Sequence, residues 1–149
     1  MKKILLFLLL SLMFCATAAA QGLVNVKSNY DVTATANRLE RVLQEKGVTL
    51  FARIDHAEGA RSVGQTLSPT LLIIFGNPAM GTPLLQRSRT IGIDLPQKAL
   101  IWEDPGGQVW LTYNDPDYLA RRHGLTEMGD AIQKMQQALA GFAAAATQP

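Results

Sequence analysis

Residues 98–114 read KALIWE-DPGG-QVWLTYN. Two runs rich in Leu, Ile, Val, Trp and Tyr flank four residues that all favour turns. Asp104 and Pro105 open a turn, and Gly106-Gly107 supply the backbone freedom that closes it. The reading is therefore a β-hairpin of Lys98 to Glu103 and Gln108 to Asn114, and hence antiparallel sheet. Upstream, Thr70 to Phe75 (TLLIIF) is a continuous apolar run, the pattern of a strand buried on both faces. Thr49 to His56 (TLFARIDH) and Gln21 to Ser28 (QGLVNVKS) complete the set of strands.

Two amphipathic helices frame these strands. Asp31 stands at an N-cap position, Val32, Ala36, Leu39 and Leu43 recur at helical spacing, and Gly47 stops the pattern, predicting a helix over 32–46. Met128, Ile132, Met135, Leu139 and Phe142 form one stripe on a last helix opened by Thr126, with Ala143 to Pro149 expected to fray. Shorter helices are expected within 57–67, over 83–89 behind a Thr82 N-cap, and from Asp115-Pro116 to Gly124. The order is strand, helix, four strands, helix. One apolar stripe per long helix suits packing on a single sheet face, so the expected fold is an α+β two-layer sandwich.

Composition narrows the function classes. The 149 residues carry 14 basic and 12 acidic side chains and one cysteine. Lys2-Lys3, an apolar run from Ile4 to Phe14 and Ala18-Ala19-Ala20 before Gln21 have the form of a secretory signal peptide. Cleavage near Ala20-Gln21 would leave residues 21–149 as a single domain, periplasmic or secreted, of zero formal charge, because Lys2 and Lys3 are lost from the excess of two. Cys15 would leave too, which excludes disulfide, thiol-enzyme and thiolate-metal chemistry. Neutrality without a basic run argues against nucleic acid, and no second apolar stretch reaches membrane-spanning length.

Chemistry-bearing residues are few. His56 ends a strand, next to Asp55 and two residues before Glu58. Strand parity groups it with Leu50, Ala52 and Ile54, on the face expected to be buried, where an imidazole can titrate near neutral pH or ligate a metal. A structural histidine bonded to a carbonyl fits the same pattern. His56-x-Glu58 is half of a zinc deaminase signature whose other half needs cysteines. His123, beside Arg121 and Arg122, suits a cation at a helix C-terminus. Gly76 to Pro83, with Asn77-Pro78 and Thr82, runs from the buried strand into a helix start, where free N–H groups can hold an anion. Arg87 and Arg89 lie nearby, but neither a P-loop lysine nor a dinucleotide fingerprint is present. No serine sits in a nucleophile elbow. Trp102 and Trp110 lie on neighbouring strands, as core or dimer contacts.

Ile54-Asp55-His56, Leu67-x-Pro69, Phe75-Gly76-Asn77-Pro78, Gly81-Thr82-Pro83-Leu84, Asp94-Leu95-Pro96 and Trp102-Glu103-Asp104 occur here in that order. Over about residues 24–140 the sequence resembles domain of unknown function family 302 (DUF302). The resemblance implies a TATA-binding-protein-like α+β fold and a homodimer, and supplies no reaction and no cofactor. His56, Asn77, Pro78 and Asp94 fall on the family's recurring positions. The reading is a dimeric small-ligand-binding module with a pocket near His56, lined by Glu58, Asn77, Pro78, Thr82 and Asp94. A ligand-free interaction module of the cell envelope is the alternative, and an enzyme with His56 as general base is the weaker third.

Overall fold

The computed structural model describes residues 22–149, so the expected signal peptide, with Cys15, lies outside the described residues. Five strands, β1 (Leu23–Lys27), β2 (Thr49–Asp55), β3 (Thr70–Gly76), β4 (Gln97–Glu103) and β5 (Val109–Asn114), form one sheet in the order β1-β5-β4-β3-β2, antiparallel throughout. Helix α1 (Val32–Glu45) carries the chain from one sheet edge, β1, to the other, β2. The remaining strands return as a meander. The α+β expectation and the strand–helix–four-strand–helix order hold.

The Asp104 loop sets the β4–β5 register as its chemistry requires. The Asp104 carboxylate accepts from the Gly106 and Gln108 amides at 2.9 and 3.0 Å, and Gly107 takes the positive φ of 80°. Trp102 and Trp110 are thereby placed directly opposite each other.

Helix α1 starts where expected, with the Asp31 carboxylate accepting from Ala34 N, and Gly47 follows it at φ 66°. Its stripe of Val32, Ala36, Leu39 and Leu43 packs, with Ile132, Met135, Leu139 and Ala143 of α5 (Gly129–Thr147), on Ile73, Ile101 and Leu111 of the sheet. Ser28 and Thr35 are polar groups inside this core. They are satisfied by each other, hydroxyl to hydroxyl at 2.7 Å, and by the Asp31 carbonyl.

Three expectations are corrected. The end of the last helix does not fray, since α5 runs to Thr147 with Ala143, Ala146 and Thr147 buried. Arg38 of α1 explains this: its guanidinium donates to the carbonyls of Ala145, Ala146 and Gln148, groups that a helix C-terminus leaves without partners. Helix α3 (Pro78–Arg87) begins at Pro78, not behind Thr82. Asn77 takes the capping role, its side chain accepting from Ala79 N at 2.9 Å, and Pro78 needs no N–H in the first turn. Thr82 and Pro83 fall inside the helix, so Thr82 marks no helix N-terminus.

The third correction concerns β2, a sheet edge. Its residues are exposed or half-buried, with Phe51 53% and Ile54 40% exposed, so the buried face expected for His56 does not exist there.

Candidate functional site

His56 is the first residue of a short helix, α2 (His56–Ser62), and is exposed. Its side chain has no hydrogen bond among the described residues, and both neighbouring carboxylates are occupied. Asp55 caps α2 by accepting from Glu58 N at 2.9 Å, and Glu58 pairs with Arg61 through two guanidinium nitrogens. That bond to Glu58 raises the Arg61 pKa above its ordinary value. Neither carboxylate orients the imidazole, so His56 has none of the arrangement a general base needs.

A cavity of about 330 Å³ opens instead between one end of the sheet, α3 and α5. It is bounded by Phe51 of β2, by Phe75 and Gly76 at the end of β3, and by Leu95, Pro96 and Gln97 leading into β4. The first turns of α3 supply Asn77, Pro78, Met80, Gly81 and Thr82, with Leu85 behind them. Met135, Ala138, Leu139 and Phe142 of α5 form the opposite wall. Phe75 and Phe142 meet edge to face, ring centroids 6.3 Å apart, which holds that wall against the sheet. A Cβ at Gly76 would lie 3.4 Å from Pro96 and 3.5 Å from Phe51, in van der Waals contact with both at the cavity rim.

Asn77, Pro78 and Thr82 therefore line one cavity, as the sequence grouped them, while His56, Glu58 and Asp94 lie outside its lining. Asp94 belongs to a separate cluster. Its carboxylate meets His123 Nε2 at 2.5 Å and Arg122 Nη1 at 3.5 Å, and His123 Nδ1 meets the Thr90 hydroxyl at 3.0 Å. The His123 side chain is 5% exposed. This pairing ties the end of α4 (Pro116–His123) to the 3-10 turn over Arg89–Ile93. A histidine that reads as a free cation at a helix end is thus a buried partner of Asp94. Among the described residues, no three His, Cys, Asp or Glu side chains come together as metal ligands.

Sequence reasoning missed most of the cavity walls. Met135, Leu139 and Phe142 were visible as an apolar stripe, but a stripe does not say whether its partner surface is closed. Gln97, a buried amide at the start of β4, carried no signal at all.

The DUF302 family model, described as "Domain of unknown function DUF302", matches residues 24–142. The chain belongs to this family. A crystal structure of an uncharacterized conserved DUF302 protein from Bacillus stearothermophilus superposes with a TM-score of 0.76 at 18% identity, covering 85% of this chain and 99% of that one. The DUF302 fold is thereby shared. Fluoride-specific ion channel FluC 1 of Brucella suis is 49% identical over 119 residues, which are 80% of this chain and 47% of the relative. Fluoride-specific ion channel FluC 2 of Brucella melitensis has the same identity over 44% of its length. This chain thus spans less than half of the curated relatives it matches. Among its described residues no helix is long and apolar enough to cross a membrane.

Proposed function

We propose that this DUF302 chain is an exported, homodimeric module that binds one small, largely apolar molecule in the cavity between β3, α3 and α5. The cavity carries the reading. Four separate segments converge on it, and its walls are aromatic and aliphatic with a few polar groups, the usual make-up of a small-molecule site. The dimer part of the proposal rests on the sheet face away from α1 and α5. That face presents Leu72, Ile74, Leu100, Trp102 and Trp110, none of them part of the helix-side core. Contiguous apolar surface of this kind marks an interaction site.

Native mass spectrometry on the protein purified from its own host tests the reading. A retained small-molecule mass that disappears when the cavity is filled by Ala138→Phe is the expected outcome. A bare polypeptide mass, together with no thermal stabilisation by apolar compounds, would sink it.

The Brucella relatives favour a second reading, an envelope interaction module that works beside a fluoride channel, because the matched segment is less than half of proteins so named. On that reading, a host lacking this chain becomes more sensitive to fluoride. Unchanged sensitivity removes it. The cavity itself is ill suited to hold fluoride, since no cationic side chain lines it.

A further inference from the structure

We infer that the cavity takes an uncharged amphiphile: an apolar chain or ring of roughly a dozen non-hydrogen atoms whose neutral polar head meets the Gln97 amide. The inference rests on the ligand-binding reading and adds the chemical class.

Three observations carry it. The cavity lining contains no Asp, Glu, Lys, Arg or His. A charged head drawn inside would lose its water and gain no counter-charge, which is strongly unfavourable. Size comes next. An engineered cavity of about 150 Å³ accepts benzene, so 330 Å³ has room for about twice as many atoms.

The third observation is Gln97. It is a buried polar residue, 7% exposed, that lines the cavity. Among the described residues its side chain makes one hydrogen bond, from Nε2 to the thioether of Met135 at 2.9 Å. A thioether is a weak acceptor. Its Oε1 has no partner among the described residues. No sealed-off side-chain polar atom is unpartnered among them, so this oxygen keeps some accessible surface, on a residue that lines the cavity. A buried amide left in this state favours a ligand that donates to it. Carboxamides and alcohols donate to Oε1, whereas a carboxylate only accepts and adds a charge.

Calorimetric titration of the full chain with nonanamide and with nonanoate at pH 7.5 tests this. The two probes have the same apolar tail and the same number of non-hydrogen atoms, so they differ in the head alone. The amide is expected to bind at least tenfold more tightly. Gln97→Leu should weaken the amide by about five- to tenfold, the loss of roughly one hydrogen bond, and leave nonanoate within twofold.

Ala138→Phe and Gly81→Leu fill the cavity from opposite walls and should abolish both. Circular dichroism identifies which of the two variants is folded. Nonanoate binding as tightly as the amide, but lost in the filled variants, overturns the neutral-head assignment while the ligand site stands. An equal loss of both probes in Gln97→Leu shows a packing role and overturns the part given to the amide. Binding of neither probe overturns the inference and the ligand-binding reading together.

Discussion

The two faces of the sheet differ less in composition than in what covers them. On β3, Leu71, Ile73 and Phe75 face α1 and α5 and are 6%, 0% and 3% exposed. Leu72 and Ile74 point the other way and are only half-buried. The open side continues through Leu100, Trp102 and Trp110, with Ile54 40% exposed at the edge. Polar groups on this side are tied down. Trp102 Nε1 donates to the Thr112 hydroxyl at 2.9 Å, and Thr112 donates to Asn25 Oδ1 at 2.6 Å. Trp110 Nε1 donates to the Asp104 carboxylate at 2.8 Å. An apolar strand in the middle of a sheet therefore does not guarantee two covered faces within one chain. The helices close one side, and the other is left half-buried.

The largest effect expected from this contrast is on the covered face. Ile73→Ala should cost about 2–5 kcal/mol, because the packed core around it collapses little into the vacated volume. In thermal unfolding that is a fall in Tm of roughly 10 °C, independent of protein concentration. A loss below about 1 kcal/mol would break the distinction between the faces.

Leu72→Glu, one residue away, should spare the fold and split the dimer proposed above. Light scattering after gel filtration would then give half the wild-type mass, and the concentration dependence of Tm would vanish. A mass unchanged from wild type breaks the assignment of the open face to self-association.

A pH profile sharpens the comparison at the hairpin. The Trp110 indole N–H, followed by the Gln108 amide, holds the Asp104 carboxyl below its ordinary range. Since the folded value lies below the unfolded one, the stabilisation is present above the unfolded value, about 4, and is lost as pH falls through the folded value. Thermal unfolding between pH 2.5 and 6 should show a shallower acid-side decline for Asp104→Asn than for wild type. Identical slopes would mean that the tether contributes nothing.

The smallest effect belongs to the exposed start of α2, just beyond the edge strand β2. His56→Ala should change stability by no more than about 0.5 kcal/mol and leave any retained ligand in place, as monitored by chemical denaturation and native mass spectrometry. Loss of the ligand would return His56 to the site.

Much of the fold was legible because its signals are local. Asp31 and Gly47 bracket α1 by capping chemistry, and Asp104 to Gly107 define a hairpin by turn chemistry. Where two local signals competed, the choice needed the structure: Asn77-Pro78 and Thr82-Pro83 both spell a helix start, and the first captured the helix. The candidate site was legible only in its α3 portion, Asn77, Pro78 and Thr82.

By itself, the sequence determined the element order, the antiparallel hairpin and the helical stripes, since each depends on periodicity or on residues a few positions apart. Only the tertiary structure decided which apolar surfaces are covered, that β2 is an edge, and that Gln97 faces a cavity. It also decided that Asp94 pairs with His123, 29 residues away. Burial and hydrogen bonding are properties of atoms brought together across the chain, and no local pattern in the sequence encodes them.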